Sequence, residues 1–354
     1  MGFDKESWLR EQLTIAFQDS SQALQFIEEK KCKLNNKLYK YCPISDTDDI
    51  VQYPIENLKN DIIYMSRVSN FNDPFDTYIS FDLNNTFENF IPKIIEMNTE
   101  LDGELKPLVS VVLSLLMAKR PLKEDCLNNP QLFEIVGVDG REAKQVQQIL
   151  NGQFPKIEAA KEAYQKMIES VKTEISNGIK KSREIINEKY YISCFSTSSN
   201  NALMWAHYSN KHKGFCIEYD LEKTRNTNFL INLYPVLYSK KRATIPSNLF
   251  DITATNNIKI STSNESIVDL LCALLTKSDI WKYEDEWRLL LYGGTMGVND
   301  NKFKIDCINK IILGCQIEDK YEKILTQICK TKEIHLSKML LDENEYQIHE
   351  EIIF

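Results

Sequence analysis

Glu284 and Glu286 stand two residues apart in "WKYEDEWRLLLY" (281–292), at the head of an apolar run that reads as a β-strand. Residues two apart on a strand share a face, so both carboxylates are expected on one side of the sheet. Two such groups repel, and at least one is expected to titrate above the ordinary carboxylate range if partly buried. That arrangement makes a general base or a stabiliser of an oxocarbenium ion; the alternative is a solvated strand entry paired with Lys282 and Arg288. Arg67 is a second candidate, at the end of an apolar strand four residues ahead of the turn "FNDPFD" (71–76). A strand-end guanidinium beside a rigid Asx-Pro turn suits phosphate or carboxylate, with a salt bridge to Asp73 or Asp76 as the alternative.

The densest run of unusual residues is "SCFSTSSNNALMWAHYSNKHKGFCIEYD" (193–220). Its strand ends in hydroxyls, and Ser198 to Asn201 offer N-cap chemistry to the helix that follows. On that helix Met204, Trp205 and Tyr208 lie at helical spacing, which predicts a core face first and a ligand platform second. His207 and His212 lie five apart across a helix end with no further ligand at metal spacing, so no metal site is expected. Gly214 reads as the stop before the next strand.

These candidates need positioning elements. Residues 5–33 carry apolar positions three and four apart and predict a leading helix or helix pair. "LYKYCPI" (38–44) reads as strand, and 45–85 as short helix, strand and turn. From 86 to 189 the chain reads as almost wholly helical, and from 190 strands return in "YYISCFS", "GFCIEYD", "FLINLYPVLYS", "WRLLLYGG" and "KIILGC", with a terminal hairpin. The expected architecture is therefore an α+β core from 36–85 and 190–354, a helical arm over 1–35 and a helical insertion over 86–189. The insertion's long amphipathic run needs a partner for its apolar stripe: homodimerisation is expected there, with a helical lid folded onto its own core as the alternative.

The chain has 354 residues, 43% of them hydrophobic and 27% charged, enough for a substantial core. A formal charge of −8 argues against a broad duplex-DNA footprint. Nine cysteines without a CxxC pair, behind an N-terminus without an apolar leader, suggest reduced thiols in a cytoplasm. The most apolar window, 105–120, is shorter than the roughly 20 residues of a membrane span, and no membrane association is expected.

Taken together, "FNDPFD", "CFS…LMWAHYSNKHKGFCIEYD", "YEDEWR" and the tail "INKIILGC" resemble the bacterial family known as domain of unknown function 2971. The order of elements also resembles ADP-ribosyltransferases, which build an NAD site on a split antiparallel sheet from three strand-borne motifs. "LYKY" would be the first, with Lys40 where that family carries His or Arg and Tyr41 beside it. "FSTS" would be the second, with Phe195, Ser196 and Ser198, and Glu284-x-Glu286 the third.

This resemblance implies NAD as substrate, with "FSTS" and the Trp205/Tyr208 face at the nicotinamide and Arg67 with Lys40 at the pyrophosphate. Glu286 would stabilise the charge developing on the ribose, and Glu284 would orient or activate the acceptor. Arg67 and residues 195–198 are then expected to line one cleft with Glu286. The implied function is an NAD-consuming enzyme, an ADP-ribosyltransferase or NAD glycohydrolase of the toxin or phage-defence type, with a protein or nucleic-acid acceptor. A non-catalytic sensor or protein-binding module is the competing reading.

Overall fold

Two stretches of chain far apart in sequence interleave in one sheet. The computed structural model describes residues 4–18, 22–46, 52–81, 169, 172–173, 176–245, 250–252, 258–260, 263–293 and 301–354. The chain divides into two units, one of Met1–Ser80, Arg183–Ile245 and Thr262–Phe354, the other of Phe81–Ser182 and Pro246–Ser261. In the second, Phe250–Ile252 pairs antiparallel with Ile258–Ile260. The helical insertion expected over 86–189, with its dimer interface, falls for the most part outside the described residues, as does the apolar window 105–120. Among the described residues no helix is long and apolar enough to cross a membrane.

The first unit opens with α1 (Lys5–Gln18) and α2 (Gln25–Lys33), then β1 (Lys37–Cys42), α3 (Tyr53–Lys59), β2 (Ile62–Tyr64) and β3 (Ser66–Arg67). After the second unit's long segment come β4 (Tyr190–Ser196), α4 (Ala202–Tyr208), β5 (Phe215–Asp220), α5 (Thr227–Ile231), β6 (Leu233–Pro235) and β7 (Leu237–Ser239). Then follow α6 (Asn264–Leu274), β8 (Thr276–Ser278), a 3-10 turn (Asp279–Glu284) and β9 (Glu286–Tyr292). The chain ends with β10 (Lys302–Lys304), β11 (Ile308–Leu313), α7 (Asp319–Lys332), β12 (His335–Leu341) and β13 (Ile348–Ile352).

The main sheet runs β13-β12-β11-β5-β1-β4-β9-β6, with β3 added on β4. Its pairings are antiparallel except β11 with β12, which α7 joins as a crossover. This is the expected α+β class with a mainly antiparallel, open sheet. The strand pair β1/β4 is the weakest seam, held by the single register pair Tyr39↔Ser196, whereas β1 and β5 run in register over Lys37↔Asp220 to Cys42↔Phe215.

Alternation sorts side chains onto two faces. One carries the large core of Leu38, Phe195, Phe215, Tyr219, Trp287 and Leu289, against which Trp8 of α1 packs edge-on to Trp287. The other carries Tyr41, Cys216 and Ile312 under Met204 and Trp205 of α4. Gly214 lets β5 enter this stack, since a Cβ there would stand 2.1 Å from the Cys42 carbonyl oxygen. Asn201 caps α4 by accepting from the Leu203 and Met204 amides at 3.0 and 3.4 Å.

Candidate functional site

Glu286 is the first residue of β9, but Glu284 is not on the strand: it ends the 3-10 turn, and Asp285 between them adopts a left-handed conformation at φ 39°. The pleat expected to align the two carboxylates is therefore absent. A kink brings them together instead, and both close on one cation. Lys277 of β8 donates to Glu284 Oε2 at 2.6 Å and to Glu286 Oε2 at 3.0 Å.

Arg288 completes the cluster. Two residues along β9 it shares a face with Glu286, donating from Nε to Oε1 at 2.7 Å and from Nη2 to Oε2 at 3.2 Å. Its Nη2 also reaches Asp76 Oδ2 at 2.6 Å, and Nη1 donates to the Leu274 carbonyl at 3.0 Å. Asp76 closes the "FNDPFD" turn, so that turn is bound to the carboxylate pair through Arg288. Trp281 adds a second tie, donating from Nε1 to Asp73 Oδ2 at 2.9 Å.

Three carboxylates and two cations are packed here with almost no exposure: Arg288 0%, Glu284 2%, Glu286 3% and Lys277 6%. Burial pushes the Glu286 carboxyl up, but Arg288 and Lys277 outweigh it and hold it well below its ordinary value. Burial wins at Glu284, whose carboxyl titrates above its ordinary range despite Lys277 and a 2.7 Å hydrogen bond from the Tyr208 hydroxyl. Lys277 is stabilised as a cation, since Glu286 and Glu284 more than offset its own desolvation. Of the two glutamates, Glu284 is the better proton acceptor.

Neighbouring strands hold the pair in position. The Ser196 hydroxyl donates to the Glu284 carbonyl at 2.8 Å, the Glu286 amide donates to the Tyr238 hydroxyl at 2.9 Å, and Thr197 donates to Asp285 at 2.5 Å. Ser196 lies opposite Glu286 in the β4/β9 register. Ser198 is exposed; its carbonyl accepts from the Tyr41 hydroxyl at 2.9 Å and its hydroxyl from the Asn200 amide at 3.0 Å. Trp205 is wholly buried, edge-on to Tyr41 and stacked on His212, so it belongs to the core that its helical spacing predicts.

Register divides the ten residues singled out in the sequence. Ser196 and Glu286 are partners, so they share a face with Tyr39 and hence Tyr41. Arg67 pairs with Tyr191, five residues from Ser196, and an odd separation along a strand means the opposite face. There its guanidinium lies 5.7 Å from the Tyr191 ring, and among the described residues it has no ion pair with Asp73 or Asp76. Lys40 is on that face too, donating to Ser193 Oγ at 2.7 Å and the Cys194 carbonyl at 3.2 Å, 5.3 Å from the Phe195 ring. Phe195 sits in the large core. The single cleft expected for Arg67, Lys40, Phe195 and Glu286 is thus divided by the sheet itself.

Lys277 and Tyr238 join the cluster without having stood out in the sequence, where Arg288 and Asp76 figure only as salt-bridge partners. Arg288 carried a signal, the same-face spacing from Glu286. Lys277 carried none, because its role depends on β7 and β8 pairing in parallel beside the site.

A cavity of about 510 Å³ opens beside the cluster. Lys277 belongs to both; Asp73, Phe75, Tyr78, Trp281 and the run Lys240–Arg242 line the rest. Among the described residues no group of three His, Cys, Asp or Glu side chains is arranged to hold a metal ion.

No curated protein and no solved structure matches the chain. Residues 204–289, from α4 through the carboxylate pair to Leu289 of β9, match the family model described as protein of unknown function (DUF2971), the family that the motifs of this segment resemble.

Proposed function

We propose that the protein is an NAD-consuming enzyme that breaks the bond between nicotinamide and ribose and passes ADP-ribose to water or to a macromolecular acceptor. The observation that carries this reading is the pair Glu284/Glu286, two carboxylates bound to one lysine with their ionisation pushed in opposite directions. Environments that separate two carboxylates in this way assign an acid/base role to one and a fixed charge to the other. Glu286 would face the positive charge that grows at the ribose as the C–N electron pair leaves with nicotinamide. Glu284 would take the proton of the attacking hydroxyl as its oxygen bonds to the ribose carbon. The near-open seam between β1 and β4, beside Ser196 and Glu286, supports a split-sheet reading of the ADP-ribosyltransferase kind.

A second reading is favoured by a different observation. Both carboxylates are almost fully buried, and Glu286 is already hydrogen-bonded to Arg288 and Lys277. That suits a non-catalytic module in which the cluster props the cavity open for a ligand that is sensed and not consumed. Incubation with NAD separates the two. Free nicotinamide, with growth arrest on expression in a bacterial host, is expected for an effector enzyme; saturable NAD binding without nicotinamide release is expected for a sensor.

A further inference from the structure

We infer that the cavity beside Lys277 binds the diphosphate of a nucleotide, through the basic run Lys240, Lys241 and Arg242. This deepens the NAD-consuming reading and takes from it only which nucleotide is bound. The expected phosphate ligands, Arg67 and Lys40, lie on the opposite face of the sheet from Glu286, so an anionic substrate at the carboxylate pair needs cations from elsewhere. The three-residue run supplies them, directly after β7, the strand that pairs with β8 and its Lys277.

Charge and shape both support this. Four cations, counting Lys277, line the cavity against one carboxylate, Asp73, which Trp281 engages. Lys240, Lys241 and Arg242 are exposed and make no ion pair with any described carboxylate. Arg242 is nonetheless held in place: its Nη2 donates to the Tyr78 carbonyl at 3.0 Å, and its guanidinium lies 4.6 Å from the Tyr78 ring and 5.5 Å from that of Phe75. A fixed guanidinium with donors to spare, beside two exposed ammonium groups, matches the spread charge of a diphosphate.

The aromatic walls account for the rest of a nucleotide. Phe75 is 66% exposed, on a loop that Arg288 and Trp281 tie down, while the Tyr78 ring is taken by Arg183 and Arg242 at 4.4 and 4.6 Å. An exposed ring on a fixed loop at a cavity mouth can stack a base, and about 510 Å³ lies within the range of small-ligand sites.

The test is calorimetric titration of the full chain with ADP, adenosine and inorganic pyrophosphate, repeated with Lys241→Glu and Arg242→Ala, whose thermal melts report folding. ADP is expected to bind at least tenfold more tightly than adenosine, pyrophosphate to compete with it, and each variant to weaken ADP at least tenfold. Equal affinity for adenosine and ADP, no binding of ADP, or folded variants that bind ADP as the parent does would each overturn the inference. ADP binding without any nicotinamide release from NAD would uphold it and defeat the enzyme reading. Nicotinamide release with an unchanged KM in both variants would do the reverse.

Discussion

Arg288 donates to Asp76 across 2.6 Å, although 212 positions separate them in sequence and the second unit's long segment falls between. This contact fixes the "FNDPFD" turn against β9, and it is buried on both sides. Removing one partner of a buried pair leaves the other charge uncompensated, typically at about 3–5 kcal/mol. Asp76→Ala is expected to lower stability in urea denaturation on that scale. Asp73→Ala, which releases the hydrogen bonds from the Trp281 ring and the Phe75 amide but no ion pair, is expected to cost about 1–2 kcal/mol. Equal effects of the two would show that Asp76 does not anchor Arg288.

The two glutamates should respond oppositely to amide substitution. Glu286 is ionised well below the usual range, so its contribution is present above the unfolded-state value near ~4.3 and is lost as pH falls through the lower folded value. Glu284 is raised, so its contribution is present at low pH and is lost as pH rises through the folded value. Glu286→Gln is nearly isosteric but leaves Arg288 and Lys277 short of a charge, and is therefore expected to destabilise the fold at neutral pH by about 3 kcal/mol. Glu284→Gln leaves Lys277 paired with Glu286 and is expected to stay within about 1 kcal/mol of the parent, with a flatter stability profile just above the ordinary carboxylate range. Chemical denaturation across pH measures both.

Lys30 offers a pH test away from the site. It is 3% exposed on α2, donating to the Leu230 and Ile231 carbonyls at 3.2 and 2.7 Å, and burial lowers its pKa to about 7. Between that value and the ordinary lysine range the unfolded chain binds the extra proton, so stability should rise with pH across the window, by up to about 1.4 kcal/mol per pH unit. Lys30→Met is expected to remove that rise. A variant with the parent's pH profile would mean that Lys30 is charged in the fold at neutral pH.

Arg67→Ala should change neither nicotinamide release nor stability beyond about 0.5 kcal/mol, because the side chain is exposed and lies across the sheet from Glu286. A large loss of turnover in this variant would place Arg67 in the site after all.

The sequence carried the strands, the capping of α4, the α+β class and the family resemblance of residues 204–289, since each of these depends on local pattern. It also held an unused constraint: Phe195 and Ser196 are adjacent on a strand, so they face opposite sides and cannot both line one pocket. The helix α7 carries its period openly in "YEKILTQICK", between the strands β11 and β12 that it joins. The meeting of Glu284 and Glu286 on Lys277 was not legible. It depends on a left-handed residue at Asp285, a conformation that few non-glycine residues adopt and that no motif announced, and on the parallel pairing of β7 with β8.

The most direct measurement is nicotinamide release from NAD by the parent protein and by Glu284→Gln, the variant expected to keep its fold. If Glu284 takes the acceptor's proton, the parent releases nicotinamide and the variant does so at least about 100-fold more slowly, with an unchanged thermal melt. No release from the parent, or equal release from both proteins, would contradict the assignment of the carboxylate pair.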